Sequence, residues 1–214
     1  MEVNDFLNNL GNLFNNLEEI IQASYFGVNP FNPNNSEDNY QEVFRHNIRE
    51  RLNLRVESEY TCQKNGIDIN GEEISLKNKT ERYDLLIKKL LVLFELKSVE
   101  KLDNIHCQQL FHYLDNSGYK YGILINFTKS KDIKKSYAHC KVFEKKNEVT
   151  VIDKYNNKYS HYKYELINEF KTQSYYELMG NNLISKESKN DINSSDDSSE
   201  DNEELCVSNV IEIA

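Results

Sequence analysis

The segment Thr80–Glu100 reads TERYDLLIKKLLVLFELKSVE, and two apolar runs flank its Lys88-Lys89 pair as the strands of a hairpin flank a turn. The first run carries Asp84; the second carries Glu95 and Lys97. Charges in a buried sheet are destabilising unless they are paired, hydrogen-bonded or holding a metal. Side chains alternate along a strand, so Leu91, Leu93, Glu95 and Lys97 share one face and Val92, Phe94 and Leu96 the other. A turn at Lys88 and Lys89 sets Asp84 opposite either Leu93 or Glu95, and both registers bring it to the face of Glu95 and Lys97. The second run is apolar at nearly every other position, which places it at the centre of the sheet, where solvent does not satisfy its acid.

Two carboxylates on adjacent strands, with the Leu96 main-chain carbonyl between them and the lysine, make a hard-oxygen site suited to Mg2+ (or Mn2+). Lys97 points to the same face, where it is placed to align a water or to stabilise charge on phosphorus while the ion polarises a phosphoryl oxygen. The spacing is D-x(10)-E-x-K. Such a motif is short, and the plain alternative is a solvated sheet edge on which Asp84 pairs with Arg82 or Lys97 and Glu95 with Lys97.

Working outward, Ser36 caps a helix expected over residues 37–53, with Glu37 and Asp38 in its first turn and Tyr40, Val43, Phe44, Ile48 and Leu52 along one face. LRVESEYTC (54–62) alternates as a half-buried strand, and KNGIDINGEE (64–73) reads as turns flanking a short strand. After the hairpin, LDNIHCQQLFHYLDNSG (102–118) is a helix capped by Asp103 or Asn104 and ended by Gly118, and YGILINF (121–127) is a buried strand. Helix, strand, hairpin, helix and strand in that order define an α/β fold. Residues 4–23 set Phe6, Leu10, Leu13, Phe14, Leu17, Ile20 and Ile21 on one helical face, expected to pack on the body or else to dock a protein partner. CKVFEKKNEVTVI (140–152) reads as a hairpin and HYKYELINEFKTQSYYEL (161–178) as a helix.

The blocks SEDNYQEVF, ERYDLLI, VLFELKSVEKLDNIHCQQLFHYL and GYKYGILINF, in this order over roughly residues 34–128, resemble the GxxExxY family of the PD-(D/E)xK nuclease-like superfamily. The resemblance implies a restriction-endonuclease-like αβββαβ core, a mixed central sheet flanked by helices. It matches Asp84 to the first metal-binding acid, Glu95 and Lys97 to the ExK pair, and Glu37 and Tyr40 to the ExxY motif, whose glutamate assists the metal. Gln109 matches a glutamine used for phosphate or water contacts, and His106 a histidine three residues before it. For His106 a helix-capping or core role is the stronger expectation, because lone histidines are more often structural. Asn34 stands in place of the family's first glycine, Gln41 in place of a second glutamate, and Tyr83 in place of a proline. The implied activity is metal-dependent phosphodiester hydrolysis in nucleic acid, with DNA as the first expectation and the choice between DNA and RNA left open by the sequence. The rival from another class is a non-catalytic adaptor that keeps the fold and binds nucleic acid or protein.

Composition bounds the rest. With 214 residues, 38% of them hydrophobic, the chain suits one domain with appendages: a helix and linker at 1–34, the nuclease-like domain at 35–180 and a tail at 181–214. The tail holds nine acids against Lys186 and Lys189, so it carries most of the net charge of −9 and leaves the body near −2. Acidic and Ser-rich, the tail is expected to be disordered. Its terminal Val210, Ile211 and Ile213 resemble a SUMO-interacting segment that would add a strand to a partner's sheet. Cysteines 62, 107, 140 and 206 form no CxxC pair, which excludes a zinc ribbon or a dithiol redox motif and points to reduced thiols. With neither a signal peptide nor a membrane-spanning run, the expected location is soluble and intracellular, in cytoplasm or nucleus. Asn, Lys, Ile and Tyr usage fits an AT-rich genome such as that of a large DNA virus or a protist. Lys88, Lys89 and TKSKDIKK (128–135) are the stretches best placed to meet phosphates.

Overall fold

The decisive hairpin forms where its apolar runs place it. Strand β2 (Glu73–Ile87) leads through a single 3-10 turn, Lys88–Leu90, into β3 (Val92–Lys97). Leu91 sits at φ 54, in the left-handed region, with its N–H donating to the Lys88 carbonyl at 3.2 Å. It therefore belongs to the turn rather than to the strand. Pairing Leu85↔Phe94, Leu86↔Leu93 and Ile87↔Val92 selects the register in which Asp84 stands opposite Glu95.

The computed structural model describes residues 3–178 apart from 29, 31–35, 68–72, 131, 153–157 and 175. The expected tail, with its SUMO-like segment, lies outside the described residues. Helices α1 (Val3–Gly27) and α2 (Glu37–Leu52) precede β1 (Glu57–Ile67), β2 and β3; α3 (Asn104–Asp115) then leads to β4 (Tyr121–Phe127), β5 (Ala138–Ile152) and β6 (Lys158–Lys171). The strands form one six-stranded sheet in the order β1-β2-β3-β4-β5-β6. Only β3 and β4 run parallel, joined by α3 as a crossover, so the sheet is mixed and the α2-to-β4 portion follows the expected αβββαβ order. No helix among the described residues is long and apolar enough to cross a membrane.

Alternation on the central strands divides two apolar layers. Val92, Phe94 and Leu96 of β3 with Ile123, Ile125 and Phe127 of β4 join the α1 and α2 stripes, including Leu13, Leu17, Ile20, Phe44 and Ile48. Leu93 and Leu124 meet Leu110 and Leu114 of α3 on the other face. The stripe of α1 thus packs into the core of the body, and burial of side chains such as Leu13, Leu17 and Ile20 stabilises by roughly 1.5–3 kcal/mol each. Tyr40 stacks on Phe127 with ring centroids 4.5 Å apart, and the Tyr25 hydroxyl donates to the Thr128 carbonyl at 2.9 Å.

Gly122 of β4 lets α3 approach the sheet. A Cβ there would stand 2.7 Å from a Leu114 methyl and 3.0 Å from one of Leu110. Gly122→Val is expected to destabilise by about 1–3 kcal/mol through overpacking, read as a lower Tm in thermal melting. An unchanged Tm would show that α3 does not seat this closely.

The carboxy-terminal elements correct two readings. CKVFEKKNEVTVI lies within one long strand, β5, and the expected helix over 161–178 is β6 as far as Lys171, followed by a helical turn at 176–178. Tyr164, Ile167 and Phe170 fall three apart, a spacing that suits a helix but is produced here by a bulge. Val142 pairs with Asn168 and Phe143 with Leu166, leaving Ile167 unpaired. That extra residue flips the alternation. Tyr164 consequently stacks on Phe111 of α3, while Phe170 packs in the α1 layer.

Candidate active site

At the end of the β2/β3 ladder the sheet replaces a backbone acceptor with a side chain. The last paired residues are Leu85 and Phe94, and the next inward N–H of β3, that of Leu96, donates to Asp84 Oδ2 at 2.7 Å. Asp84 is held from behind as well, because Gln41 of α2 donates from Nε2 to its main-chain carbonyl at 3.0 Å. Glu95 is 1% exposed; Lys97 Nζ donates to its Oε1, whereas its Oε2 is buried with no hydrogen-bond partner among the described residues. Glu37, in the first turn of α2, feels the charges of Lys97 and Asp84. Ser36 adopts the extended N-cap conformation, though its hydroxyl makes no cap hydrogen bond.

The electrostatics are those of three acids around one base. Burial, then the Asp84 charge, push the Glu95 carboxyl up to about 8 against the pull of Lys97. Burial raises Asp84 despite the Leu96 N–H and Lys97, and it raises Glu37 despite Lys97. For Lys97, burial works downward, yet Glu95, Glu37 and Asp84 together hold its ammonium above the ordinary value. Burial is the largest cause at each of the three carboxyls, and neighbouring acids add to it while Lys97 opposes it. A divalent cation carries the complementary charge.

The donor set fits such an ion in chemistry: hard carboxylate oxygens, one of them orphaned, beside main chain whose ladder partner has been displaced. It does not amount to a finished cluster. Among the described residues no three His, Cys, Asp or Glu side chains converge closely enough to hold a metal on their own. Glu37 is joined to Asp84 and Glu95 through charge, without closing a three-carboxylate cage.

Helix α3 covers this face. Gln109 Nε2 donates to the Tyr113 hydroxyl at 2.9 Å, and the Tyr113 ring stands edge-on to Tyr83, centroids 5.0 Å apart. Burial raises the Tyr113 hydroxyl against the Gln109 bond, and the Glu95 and Asp84 charges raise it further, which places Tyr113 within the electrostatic reach of the site. Gln109 thus lies one residue removed from the charges. His106 has the structural role: its Nδ1 accepts from the Asp103 N–H at 3.1 Å in a capping box, and Asp103 is the cap, its Oδ1 accepting from the Ile105 N–H at 3.0 Å. Of the lysines at the hairpin tip, Lys88 pairs with Glu57 at 2.7 Å. Three residues escaped the sequence reading: Gln41, legible only as a departure from the family pattern; Tyr113, whose signal was its spacing of four from Gln109; and Asn126, whose amide brackets Val99 at 2.9 Å (Val99 N–H to Oδ1) and 3.0 Å (Nδ2 to Val99 carbonyl) and pins the loop after β3.

An αβββαβ sheet with an aspartate, a glutamate and a lysine gathered at the end of its central hairpin defines a nuclease-like α/β protein. A family model described as the PD-(D/E)XK nuclease superfamily matches residues 15–138, more than half of the chain, and the protein belongs to that superfamily. Neither a curated protein nor a solved structure matches the chain.

Proposed function

We propose that the protein is a metal-dependent nuclease that hydrolyses phosphodiester bonds in DNA, with Asp84, Glu95 and the Leu96 carbonyl holding the ion and Glu37 assisting from α2. The observation that carries the reading is the Asp84 Oδ2 to Leu96 N–H bond, which ties the first acid to the strand of the E-x-K pair. That bond fixes the Asp84 carboxylate against β3. Glu95 divides its oxygens, one on Lys97 and one buried without a hydrogen-bond partner among the described residues. Lys97, 14% exposed, is tethered at the end of β3, where its ammonium aligns the attacking water and stabilises negative charge developing on the phosphoryl oxygens. Gln109 and Tyr113 form the α3 wall that orients water or phosphate. When bound, Mg2+ or Mn2+ polarises the phosphoryl oxygen and lowers the pKa of a coordinated water.

Two measurements test this reading. Labelled single-stranded, duplex and branched DNA and RNA are incubated with Mg2+ or Mn2+, and cleavage of DNA that ceases in chelator is expected. Thermal melting follows metal binding separately. An ion at about 100-fold over its Kd stabilises the folded form by ~2.7 kcal/mol, a Tm rise of about 5–10 °C for a domain of this size, and Asp84→Asn is expected to remove the rise. If wild type neither melts higher nor cleaves, the fold serves as a non-catalytic adaptor.

A further inference from the structure

Beside the acidic site lies a cleft of about 610 Å³ that the nuclease chemistry does not use. Its position follows from the sheet register. Lys97 is aligned with Asn126, Asn126 with His139, and His139 with Lys171, a single rung across β3, β4, β5 and β6. Ala138, Cys140 and Phe170 point into the α1 layer, so His139 and Lys171 share the α3 face with Lys97.

The lining is basic on balance. Lys101, Lys135, Lys141 and Lys171 line it with His139, against Glu100 and Glu169. Glu169 is already answered, by His139 Nε2 at 2.7 Å and Lys141 Nζ at 3.2 Å. Among the described residues Lys135 is paired with the exposed Asp132, at 3.8 Å, and Lys171 lies over the Tyr137 ring at 4.7 Å. An independent observation comes from Thr128, which lines the same cleft at 4% exposure. Its N–H donates to the Tyr137 carbonyl and its carbonyl accepts from Tyr25, yet its hydroxyl is buried with no partner among the described residues. Leaving such a hydroxyl unbonded is destabilising, and a phosphoryl oxygen would accept from it. The family match ends at residue 138, so the walls from β5 and β6 lie beyond it.

We infer that this cleft is a phosphate subsite, formed by the Thr128 hydroxyl with Lys135 and Lys171, that grips the nucleic-acid strand a few nucleotides from the scissile bond. The inference rests on the nuclease reading for its substrate class. Strands lie ~4.8 Å apart, which puts Lys171 about 14 Å from β3. A stacked nucleic-acid strand advances ~3.4 Å per nucleotide, so the subsite takes a phosphate about four nucleotides away.

The test uses the full chain in chelator and fluorescence anisotropy with labelled single-stranded DNA from about three to about twelve nucleotides long. Wild-type affinity is expected to step up once the oligonucleotide exceeds about four nucleotides. K135E/K171E should remove the step, weaken binding of longer strands about tenfold and lower the slope of log affinity against log salt by about two. Thr128→Val, which deletes only the orphan hydroxyl, should weaken the same step without lowering Tm. Equal steps with 5′-hydroxyl and 5′-phosphorylated strands identify an internal phosphodiester as the ligand, and a step confined to 5′-phosphorylated strands identifies a terminal phosphate. Unchanged affinity, salt slope and length dependence in both variants overturns the subsite even where Mg2+-dependent cleavage persists. A length step in binding with no cleavage by wild type overturns the nuclease reading and leaves the subsite standing.

Discussion

Lys97→Ala is expected to lower Mg2+-dependent cleavage by at least about 10²- to 10³-fold, the usual loss when one donor aimed at developing charge is removed. The fold is expected to survive. Lys97 sits at the end of β3, and the apolar residues that hold that strand, Val92, Phe94 and Leu96, belong to the layer on the opposite face. Removing a buried charge partner ordinarily destabilises strongly because the other charge is stranded. Here Glu95 already holds its proton to about pH 8, and without the ammonium it is expected to neutralise itself at higher pH still. Far-UV circular dichroism should therefore be unchanged at neutral pH, with catalysis gone. Full activity in a purified Lys97→Ala protein would falsify the assignment of this lysine.

Glu95→Gln should be equally inactive and, in chelator, more stable than wild type. The ordinary value for a glutamate is 4.5, and in the folded protein Glu95 rises to about 8. Between those values the folded chain keeps a proton that the unfolded chain has released, so raising the pH favours unfolding by up to ~1.4 kcal/mol per pH unit. Below the lower value both states are protonated and no penalty applies; above the upper value the whole penalty is in force. Asp84 and Glu37 are raised too and add to the same slope. Glutamine binds no proton, so the variant should flatten the fall in Tm between about pH 5 and pH 8. Lys97→Ala should steepen it. Thermal melts in chelator at pH 5 and pH 8 separate the two, and identical slopes in all three proteins would mean that the carboxylates are not crowded as described.

The central hairpin was the most legible part of the molecule because each of its strands carries its burial pattern in contiguous residues. Glu95 and Lys97 against Val92, Phe94 and Leu96 is a period of two that only a strand satisfies. The α1 and α2 stripes were equally plain, since a helix likewise states its buried face locally. β6 was misread for the opposite reason. Its residues are mostly exposed, its apolar positions straddle a bulge at Ile167, and its state is set by the hydrogen bonds that β5 offers rather than by its own side chains. The cleft was invisible because His139 and Lys171 are brought onto the rung and face of Lys97 by register alone.

The chain's own order of residues determined that Asp84, Glu95 and Lys97 would meet on one face of a hairpin, because alternation and a tight turn leave them nowhere else to go. Only the tertiary structure decided what that meeting amounts to. The Leu96 N–H captured by Asp84, the orphaned Glu95 oxygen and the raised carboxyls all depend on where the β2/β3 ladder stops and on the helices that close over it. Desolvation and hydrogen-bond satisfaction are properties of surroundings assembled from distant segments, and they have no local signature in sequence.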